Sequence, residues 1–479
     1  MSVPRPTRLR HALLLALAVG SPAMAAETIT VEDLARRLLQ LEQRLDATPI
    51  ATTQSDAGHP DPVELDQRVR VLERKLELQA EDAAAKTAAT PTVTLSPTKG
   101  LSVKSASGDA EVKFKGLLQA DGRFFLGDAT VPQNDTFLLR RVEPALEGSW
   151  GPFGFRLSGQ FGGDSATVVD AYVDMKFNPH ALLRIGRTKV PVGLERLQSS
   201  GSTEMMEVGL PSELLPNRDL GVQLQGEFAQ SKVGYALGIF NGAPDGRDGL
   251  TSNPDNDFEV AGRLFFEPWK NGDGVLSGLG FGIGASSGDK HGSGNNFLPR
   301  YRTPGQVQFF GYLGTVAADG SHLRWSPQAY YYRHGLGLLG EYVTSRQELL
   351  LPATGQRKTF DNRAWQVVPS WVLTGEDASY RGVVRPDHPF TIGAAGWGAL
   401  ELVARYGRLE IDDDAFPLYA DPTTSASSAR SWGLGLNWYL TSNFKLVANY
   451  TQTTFDAGAP DGRDREDEKA FFTRAQLSF

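Results

Sequence analysis

Apolar and polar residues alternate one by one along several stretches of the chain, beginning near residue 111. In residues 112–124 (VKFKGLLQADGRF), apolar side chains alternate with charged or polar ones. The same period of two recurs at residues 432–440, 444–450 and 471–479. Successive side chains of a β-strand point to opposite faces, so each stretch predicts a strand with one apolar and one polar face.

Applied to the whole chain, this pattern predicts about sixteen strands. They cover residues 111–126, 136–149, 153–161, 167–177, 181–190, 219–229, 231–240, 257–268, 275–286, 321–333, 336–346, 360–374, 394–410, 429–440, 443–455 and 468–479. An even number of alternating strands is typical of a transmembrane antiparallel β-barrel, whose apolar faces point to lipid. A soluble β-sandwich or β-solenoid, which would bury those faces, is the alternative. The last strand ends in Phe479, which resembles the assembly signal of bacterial outer-membrane barrels.

Connection lengths support the barrel, because short turns alternate with long loops almost throughout. The tight turns are predicted at residues 150–152, 178–179, 230, 334–335 and 441–442, and the long loops at 127–135, 191–218, 241–256, 287–320, 347–359, 411–429 and 456–467. Residues 375–393 are long where a turn is expected, and residues 306–315 are assigned to a loop. Residues 191–218 are predicted to fold into the lumen, since Met205, Met206 and Leu210 need a surface to pack against.

The first 110 residues have a different character. Residues 1–25 form a predicted signal peptide, with arginines, an apolar stretch and an Ala-Met-Ala cleavage site. Residues 26–80 carry two heptad seams, Val31–Leu34–Leu38–Leu41–Leu45 and Leu65–Val69–Leu72–Leu76, which predict a coiled coil. A single amphipathic helix on another surface is the alternative. Residues 81–110 are predicted to be a linker and residues 111–479 the barrel. Both barrel termini, and the coiled coil, are expected on the periplasmic side.

Composition narrows the function. The chain has 479 residues, a formal net charge of −8 and no cysteine, and its mean hydropathy is −0.29. The negative charge argues against nucleic acid as a partner, and the absence of cysteine excludes thiolate chemistry. The seven histidines show no metal-ligand spacing. No catalytic residue, metal or cofactor is therefore predicted.

Several segments together resemble the phosphate-selective porin O and P family. They are residues 187–200 (RTKVPVGLERLQSS), 210–226 (LPSELLPNRDLGVQLQG), 236–247 (ALGIFNGAPDGR), 262–269 (GRLFFEPW), 374–376 (TGE), 405–412 (RYGRLEID) and 436–454 (LNWYLTSNFKLVANYTQTT). The resemblance covers roughly residues 111–479. It implies a trimeric sixteen-stranded barrel whose third loop narrows the pore, and transport of phosphate or polyphosphate along a ladder of arginines.

The candidate channel residues come from this resemblance and from strand parity. The resemblance points to Arg140, Arg141, Asp170 and Arg196. Arg140 and Arg141 are adjacent, so one of them must lie at a bulge, a rim or a subunit interface. Strand parity adds Lys113, Lys115, Arg123, Arg405 and Arg474 as inward cations, with Asp121 and Glu401 as partners for Arg123 and Arg405. Val208 stands where the family pattern has an arginine, and several loops are acidic.

The sequence therefore predicts an outer-membrane channel for small anions, phosphate or polyphosphate among them, in a Gram-negative bacterium. Three other hypotheses stay open: a general diffusion porin, an envelope tether whose coiled coil contacts peptidoglycan, and a barrel enzyme such as a lipase. No Gly-x-Ser-x-Gly motif supports the enzyme. The expected partners are two further copies of the chain in a homotrimer, outer-membrane lipid and small anions.

Overall fold

The structure, a computed structural model, describes residues 62–96, 100–127, 134–163, 165–381 and 384–479. The predicted signal peptide and the first heptad seam lie outside these residues. The elements are α1 (Pro62–Ala89), β1 (Thr92–Ser96), β2 (Gly100–Lys104), β3 (Ala110–Phe125), β4 (Thr136–Trp150), β5 (Phe153–Gln160), β6 (Thr167–Asn178), β7 (Ala181–Lys189), β8 (Arg218–Phe228), β9 (Val233–Phe240), β10 (Glu259–Phe266), β11 (Leu279–Ser293), β12 (Arg300–Arg302), β13 (Gln308–Gly311), β14 (Ala317–Arg333), β15 (Leu336–Leu351), β16 (Gln356–Val372), β17 (Ala399–Glu410), β18 (Ala426–Tyr439), β19 (Phe444–Ala457) and β20 (Glu468–Ser478).

Sixteen of these strands, β3–β11 and β14–β20, form a closed barrel. Each pairs antiparallel with the next strand of the set, and β20 pairs with β3. Closure continues to the last residue, because Gly116 and Phe479 exchange backbone hydrogen bonds of 3.0 and 3.1 Å. The predicted transmembrane antiparallel barrel is confirmed. A closed sheet has no free edge, so every strand finds partners on both sides.

The period of two separates the two faces of the wall as predicted. Outward Leu434 and Ile283 expose 56% and 47% of their surface, whereas inward Gln119, Asn437 and Thr453 are fully buried. The outer face is thus apolar and the inner face polar over most strands. This is the arrangement that a lipid environment requires, because backbone polar groups are paired within the sheet and only side chains meet the solvent.

The strand connections follow the predicted alternation, with one correction. Short turns such as residues 151–152, 179–180 and 334–335 define one end of the barrel, here called the short-turn end. The other end carries the long loops. The prediction of a long loop at residues 347–359 is wrong. β15 and β16 remain paired through most of this range and are joined by residues 352–355 alone. Residues 306–315 lie in a loop as predicted, where β12 and β13 form a hairpin.

Loops fill the half of the lumen that lies against β14–β19. Side chains from the β11–β14 and β17–β18 loops pack against the inner wall, with Tyr301, Phe310 and Tyr419 at or below 1% exposure. From the short-turn end, the long segment between β16 and β17 enters as well. Its Tyr380 stacks on Tyr330, with ring centroids 4.7 Å apart. The space left for solute therefore lies against the opposite wall, β3–β10.

The segment before the barrel is more ordered than the predicted linker. Helix α1 continues to Ala89, and β1 and β2 form a hairpin within residues 81–110. In α1, the seam residues Leu65, Val69 and Leu72 are buried, which agrees with an apolar helical face. No helix among the described residues is long and apolar enough to span a membrane.

Candidate functional site

The connection between β7 and β8, residues 190–217, folds into the barrel and is called the constriction loop here. It contains two short 3-10 helices, Glu195–Leu197 and Leu210–Leu214. Leu194, Leu214 and Leu215 are fully buried against the inner wall and the other loops. The inward course predicted for this loop is confirmed.

Polar side chains of the wall hold the constriction loop by its backbone. Gln119 donates to the Ser200 carbonyl at 3.1 Å, and Asn437 donates to the Glu204 carbonyl at 2.9 Å. Three further side chains donate to loop carbonyls at 2.8–2.9 Å. Gln476 donates to the Gly201 carbonyl, Arg474 to the Met206 carbonyl and Arg405 to the Glu207 carbonyl. Irregular backbone buried inside a barrel needs such partners, since an unpaired carbonyl costs free energy. These contacts fix the loop's position in the pore.

Glu207 is the charged centre of the loop's contact with the wall. Arg140 binds both of its carboxylate oxygens, at 2.7 and 2.9 Å. Arg123 lies 2.5 Å and Arg474 3.6 Å from the same carboxylate. Burial alone would raise the pKa of Glu207, but these three guanidiniums hold it well below its ordinary value. Because the pKa is lowered, the ion pairs and their stabilisation are present at neutral pH and are lost as the pH falls through that lowered pKa.

A β-bulge places both residues of the Arg140–Arg141 pair in the lumen. In the register of β3 and β4, Gln119 faces Arg141 and Ala120 faces Leu139, so Arg140 is the extra residue. Arg141 then points inward beside Gln119, while Arg140 also reaches the inner side to bind Glu207. The bulge that the sequence required at this pair is found. It gives one strand two inward guanidiniums at nearly the same height.

Between the constriction loop and this wall lies a narrow gap of about 50 Å³. Its charged lining consists of Arg140, Arg141, Lys189, Arg196, Arg218 and Arg474, with Glu195 and Glu207. Six cations against two carboxylates leave a formal excess of four positive charges. Val208 also lines the gap, so the arginine that the family pattern places there is replaced by cations from neighbouring strands.

Two of these cations have no carboxylate within salt-bridge distance among the described residues. Lys189 donates to the Arg196 carbonyl at 2.8 Å and also to the Gln198 carbonyl. Arg196 donates to the Ser212 carbonyl, and its Nε has no hydrogen-bond partner in the described chain. Backbone carbonyls orient a cation without neutralising it. Lys189 and Arg196 are therefore the lining residues that carbonyl groups hold without a direct carboxylate partner among the described residues.

On the short-turn side the gap opens into a wide vestibule of about 1520 Å³. Here cations alternate with carboxylates that bridge them. Asp170 accepts from Arg218 at 2.8 Å and from Arg156 at 3.1 Å. Arg184 pairs with Asp174 through two bonds of 2.8 and 2.9 Å. The vestibule is thus polar and nearly balanced in charge, in contrast to the gap.

The structure distributes the predicted site residues over three places. Arg140, Arg141 and Arg196 line the gap, and Asp170 and Lys115 line the vestibule. Lys115 pairs with Glu147 at 2.8 Å there. The remaining members of the predicted set either contact the constriction loop or lie near the short-turn end.

The remaining members include Arg123, Lys113 and Arg405. Arg123 pairs with Asp121 at 3.0 Å, as predicted, and with Glu207. Lys113 pairs with Glu111 at 3.1 Å near the short-turn end. The predicted pairing of Arg405 with Glu401 is wrong.

Arg405 binds Glu195 of the constriction loop at 2.7 Å, while Glu401 accepts from Asn437 and Tyr439. The error arose because spacing along a single strand does not show where an inserted loop places its own carboxylates. Arg405 is therefore a residue that anchors the loop, locked beneath it and 5% exposed.

Sequence reasoning missed Lys189, Arg218 and Arg156 as lining residues and Glu207 as the carboxylate that gathers three arginines. Lys189 is the last residue of β7 and Arg218 is the first residue of β8, the two strands that flank the constriction loop. The two residues are paired in the register of these strands. That position was a usable signal, because side chains at the two feet of an inserted loop lie next to the gap it leaves.

The matching family model is described as "Phosphate-selective porin O and P", and it covers residues 112–479 of this chain. Among curated proteins, an uncharacterized protein of Caulobacter vibrioides is 25% identical, over 91% of this chain and 86% of its own length. Porin O of Pseudomonas aeruginosa is 23% identical, over 79% of this chain and 91% of its own length.

Among solved structures, this chain is similar to a channel and to a porin. The outer-membrane channel DcaP of Acinetobacter baumannii has a TM-score of 0.49 at 11% identity and covers 78% of this chain and 99% of its own. An anion-selective porin of Comamonas acidovorans has a TM-score of 0.47 at 12% identity, with 77% and 100% covered. The family match spans most of the sequence and nearly the whole barrel, and the chain belongs to the phosphate-selective porin O and P family of outer-membrane channels.

Proposed function

We propose that this porin conducts small anions, with phosphate and polyphosphate as its substrate class, through the gap beside the constriction loop. The observation that carries the proposal is the excess of cations in the gap, six against two carboxylates. Lys189 and Arg196 are held there by backbone carbonyls alone. Guanidinium groups suit oxyanions because their planar donors match two oxygens at once.

The mechanism requires no covalent chemistry. In the gap, Arg141, Arg196 and Lys189 replace part of the hydration shell of an entering anion with charge-assisted hydrogen bonds. Arg218, at the boundary between the gap and the vestibule, and Arg156, beyond it, continue the path, but Asp170 already binds both of them. Their hold on an anion is therefore weaker than that of the gap. A site that binds firmly enough for entry, followed by weaker sites, permits release and conduction.

Single-channel recording of the purified protein in planar bilayers tests this function. In a KCl gradient we expect a reversal potential on the anion side, and with chloride as carrier we expect added phosphate to lower the current by occupying the gap. Polyphosphate is expected to block at lower concentration, because it presents several charges to the same cations. A channel that prefers K⁺, or an anion current that phosphate does not affect, would favour the general diffusion porin instead.

We also propose that the protein assembles as a homotrimer. Residues of β3, β4, β18, β19 and β20 line a shallow outward groove of about 640 Å³. Small residues, Ala120, Ala448 and Ala475, line it, and Phe137 projects beside it at 80% exposure. A depression next to a large exposed ring is a shape into which a neighbouring barrel wall can pack.

Native mass spectrometry of the detergent-purified mature protein is expected to give three chains per particle. The heptad seam of α1 supplies a second contact between copies, so removal of residues 27–90 is expected to weaken the trimer without closing the channel. A monomer that conducts with unchanged properties would contradict the trimer.

We propose roles for the N-terminal segment as well. We infer that residues 1–25 direct export and that the helical segment of residues 26–80 forms a periplasmic coiled coil. The first barrel strand begins at the short-turn end, and in outer-membrane barrels that end faces the periplasm. A chain that precedes this strand therefore emerges on the periplasmic side.

A further inference from the structure

The hairpin of β1 and β2 extends the barrel wall beside the point where β20 ends. β20 pairs with β3 only as far as Leu117, and β2 takes over as the neighbour of β3 from Phe114 to Glu111. β1 then pairs with β2. At the short-turn end, the closed wall thus carries two additional strands on its outer margin.

The registers place the apolar residues of the three strands side by side on one face. Two rows of three side chains result, Val93–Val103–Val112 and Leu95–Leu101–Phe114. Every one of the six is exposed, from 40% for Val112 to 79% for Leu95. Together they form an apolar face without a partner among the described residues, here called the hairpin face.

The opposite side of the same three strands is polar. Ser102 donates to Glu111 at 2.8 Å, and Glu111 pairs with Lys113 at 3.1 Å. Thr92, Thr94 and Lys104 complete this side, as the strict period of two requires. The hairpin therefore separates apolar from polar residues as the barrel strands do, although it lies outside the barrel.

The height of the hairpin face decides what covers it. Its upper row ends at Phe114, whose ring lies 6.0 Å from that of Phe479 on the outer wall. The other row ends at Val112, and two residues beyond Val112 on β3, Ala110 pairs with Trp150, which is 74% exposed. Exposed aromatic rings at the margin of a barrel lie at the membrane–water interface. On β3, both rows of the hairpin face thus lie nearer to the middle of the strand than the position of an interfacial tryptophan.

We propose that the hairpin face inserts into the periplasmic leaflet and is covered by phospholipid acyl chains near the headgroups. The face is continuous in register with the lipid-facing side of β3, so the same solvent covers both. A second copy of the chain is a weaker fit, because six side chains supply much less than the roughly 1,000 Å² that a stable protein interface buries. The hairpin would then anchor the start of the barrel in the membrane interface.

The absence of cysteine from the chain makes the test specific. In the full-length protein, Leu95→Cys and Thr94→Cys are labelled in turn with a small environment-sensitive fluorophore, and the barrels are reconstituted into phospholipid vesicles. The two positions are adjacent but lie on opposite faces of β1. We expect nitroxide-bearing phospholipids to quench the label at position 95 several times more strongly than the label at position 94. Iodide dissolved in the water is expected to quench the label at position 94 more strongly than the label at position 95.

Val93→Cys, in the other row of the same face, serves as a second reporter and is expected to behave as Leu95→Cys does. Equal lipid quenching at positions 94 and 95 would overturn the proposal. So would efficient disulfide cross-linking between copies through Cys at position 95 in the membrane, which would assign the face to a second chain. Heat-dependent mobility in gels verifies that each variant has a closed barrel.

Discussion

Replacement of residues 194–214 by a short Gly-Ser linker is expected to raise single-channel conductance severalfold and to weaken anion preference. The constriction loop fills the lumen between the loops packed on β14–β19 and the cations of β4 and β7. Its removal would merge the gap of about 50 Å³ and the vestibule of about 1520 Å³ into one wide lumen. Arg196 is lost together with Glu195 and Glu207, so the formal excess of positive charge rises from four to five. Anion preference is nevertheless expected to weaken, because the remaining wall cations then face a wide lumen in which salt screens them.

The control is a deletion in an exposed loop that joins two other barrel strands. Residues 460–464, between β19 and β20, are exposed or nearly so, and their removal is expected to leave conductance unchanged. Both proteins are compared by conductance in KCl after their heat-dependent gel mobility has verified a closed barrel. An unchanged conductance in the loop-shortened protein would mean that this loop does not limit the pore.

The second large effect is expected from Arg140→Ala combined with Arg141→Ala. The formal excess in the gap falls from four positive charges to two, so the reversal potential in a KCl gradient should move clearly toward cation preference. Acidic residues on outer loops compete weakly with this local change, because the Debye length is about 8 Å at physiological salt. The gap is narrow and holds few ions, and charges that line it act at much shorter range.

Two variants distinguish charge from shape. Arg140→Lys with Arg141→Lys keeps both charges and is expected to retain anion preference, with weaker phosphate block because an ammonium lacks the paired donors of a guanidinium. Glu207→Gln raises the excess to five and is expected to shift the reversal potential in the opposite direction from the alanine pair. If the alanine pair and Glu207→Gln shift it in the same direction, the gap does not set selectivity.

The strands could be predicted because the barrel wall separates two solvents. Outward residues meet lipid and inward residues meet water or polar loop atoms, so the period of two is visible in the sequence. The prediction failed at residues 347–359, where inward Leu349 is fully buried against the inserted loops. On the outward face, Glu348 lies opposite Thr359 and Leu350 opposite Arg357. The outward face is thus largely polar at this end of β15 and β16, the pattern of apolar outward residues ends, and continuous strands resemble a loop in the sequence.

The site could be predicted only where one strand determines it. Adjacent Arg140 and Arg141 required a bulge, and the structure has one. The partners of Arg405 and the position of Lys189 depend on how the constriction loop crosses the lumen. The loop is far from Arg405 in the sequence, so no local pattern shows their contact. Glu207 illustrates the limit, since its three arginines come from β3, β4 and β20, and no local pattern relates them.

The uneven filling of the lumen has a consequence for how this porin tolerates change. The vestibule is lined by residues of β3–β10, whereas the wall from β14 to β19 is covered inside by packed loops. Inward substitutions on that second wall are expected to appear in a mutational scan as losses of assembled protein with normal permeation per channel. Inward substitutions on the first wall should leave assembly intact and alter permeation. One cylinder of strands thus contains a scaffold sector and a transport sector, and the transport sector can diverge toward new solutes without rebuilding the scaffold.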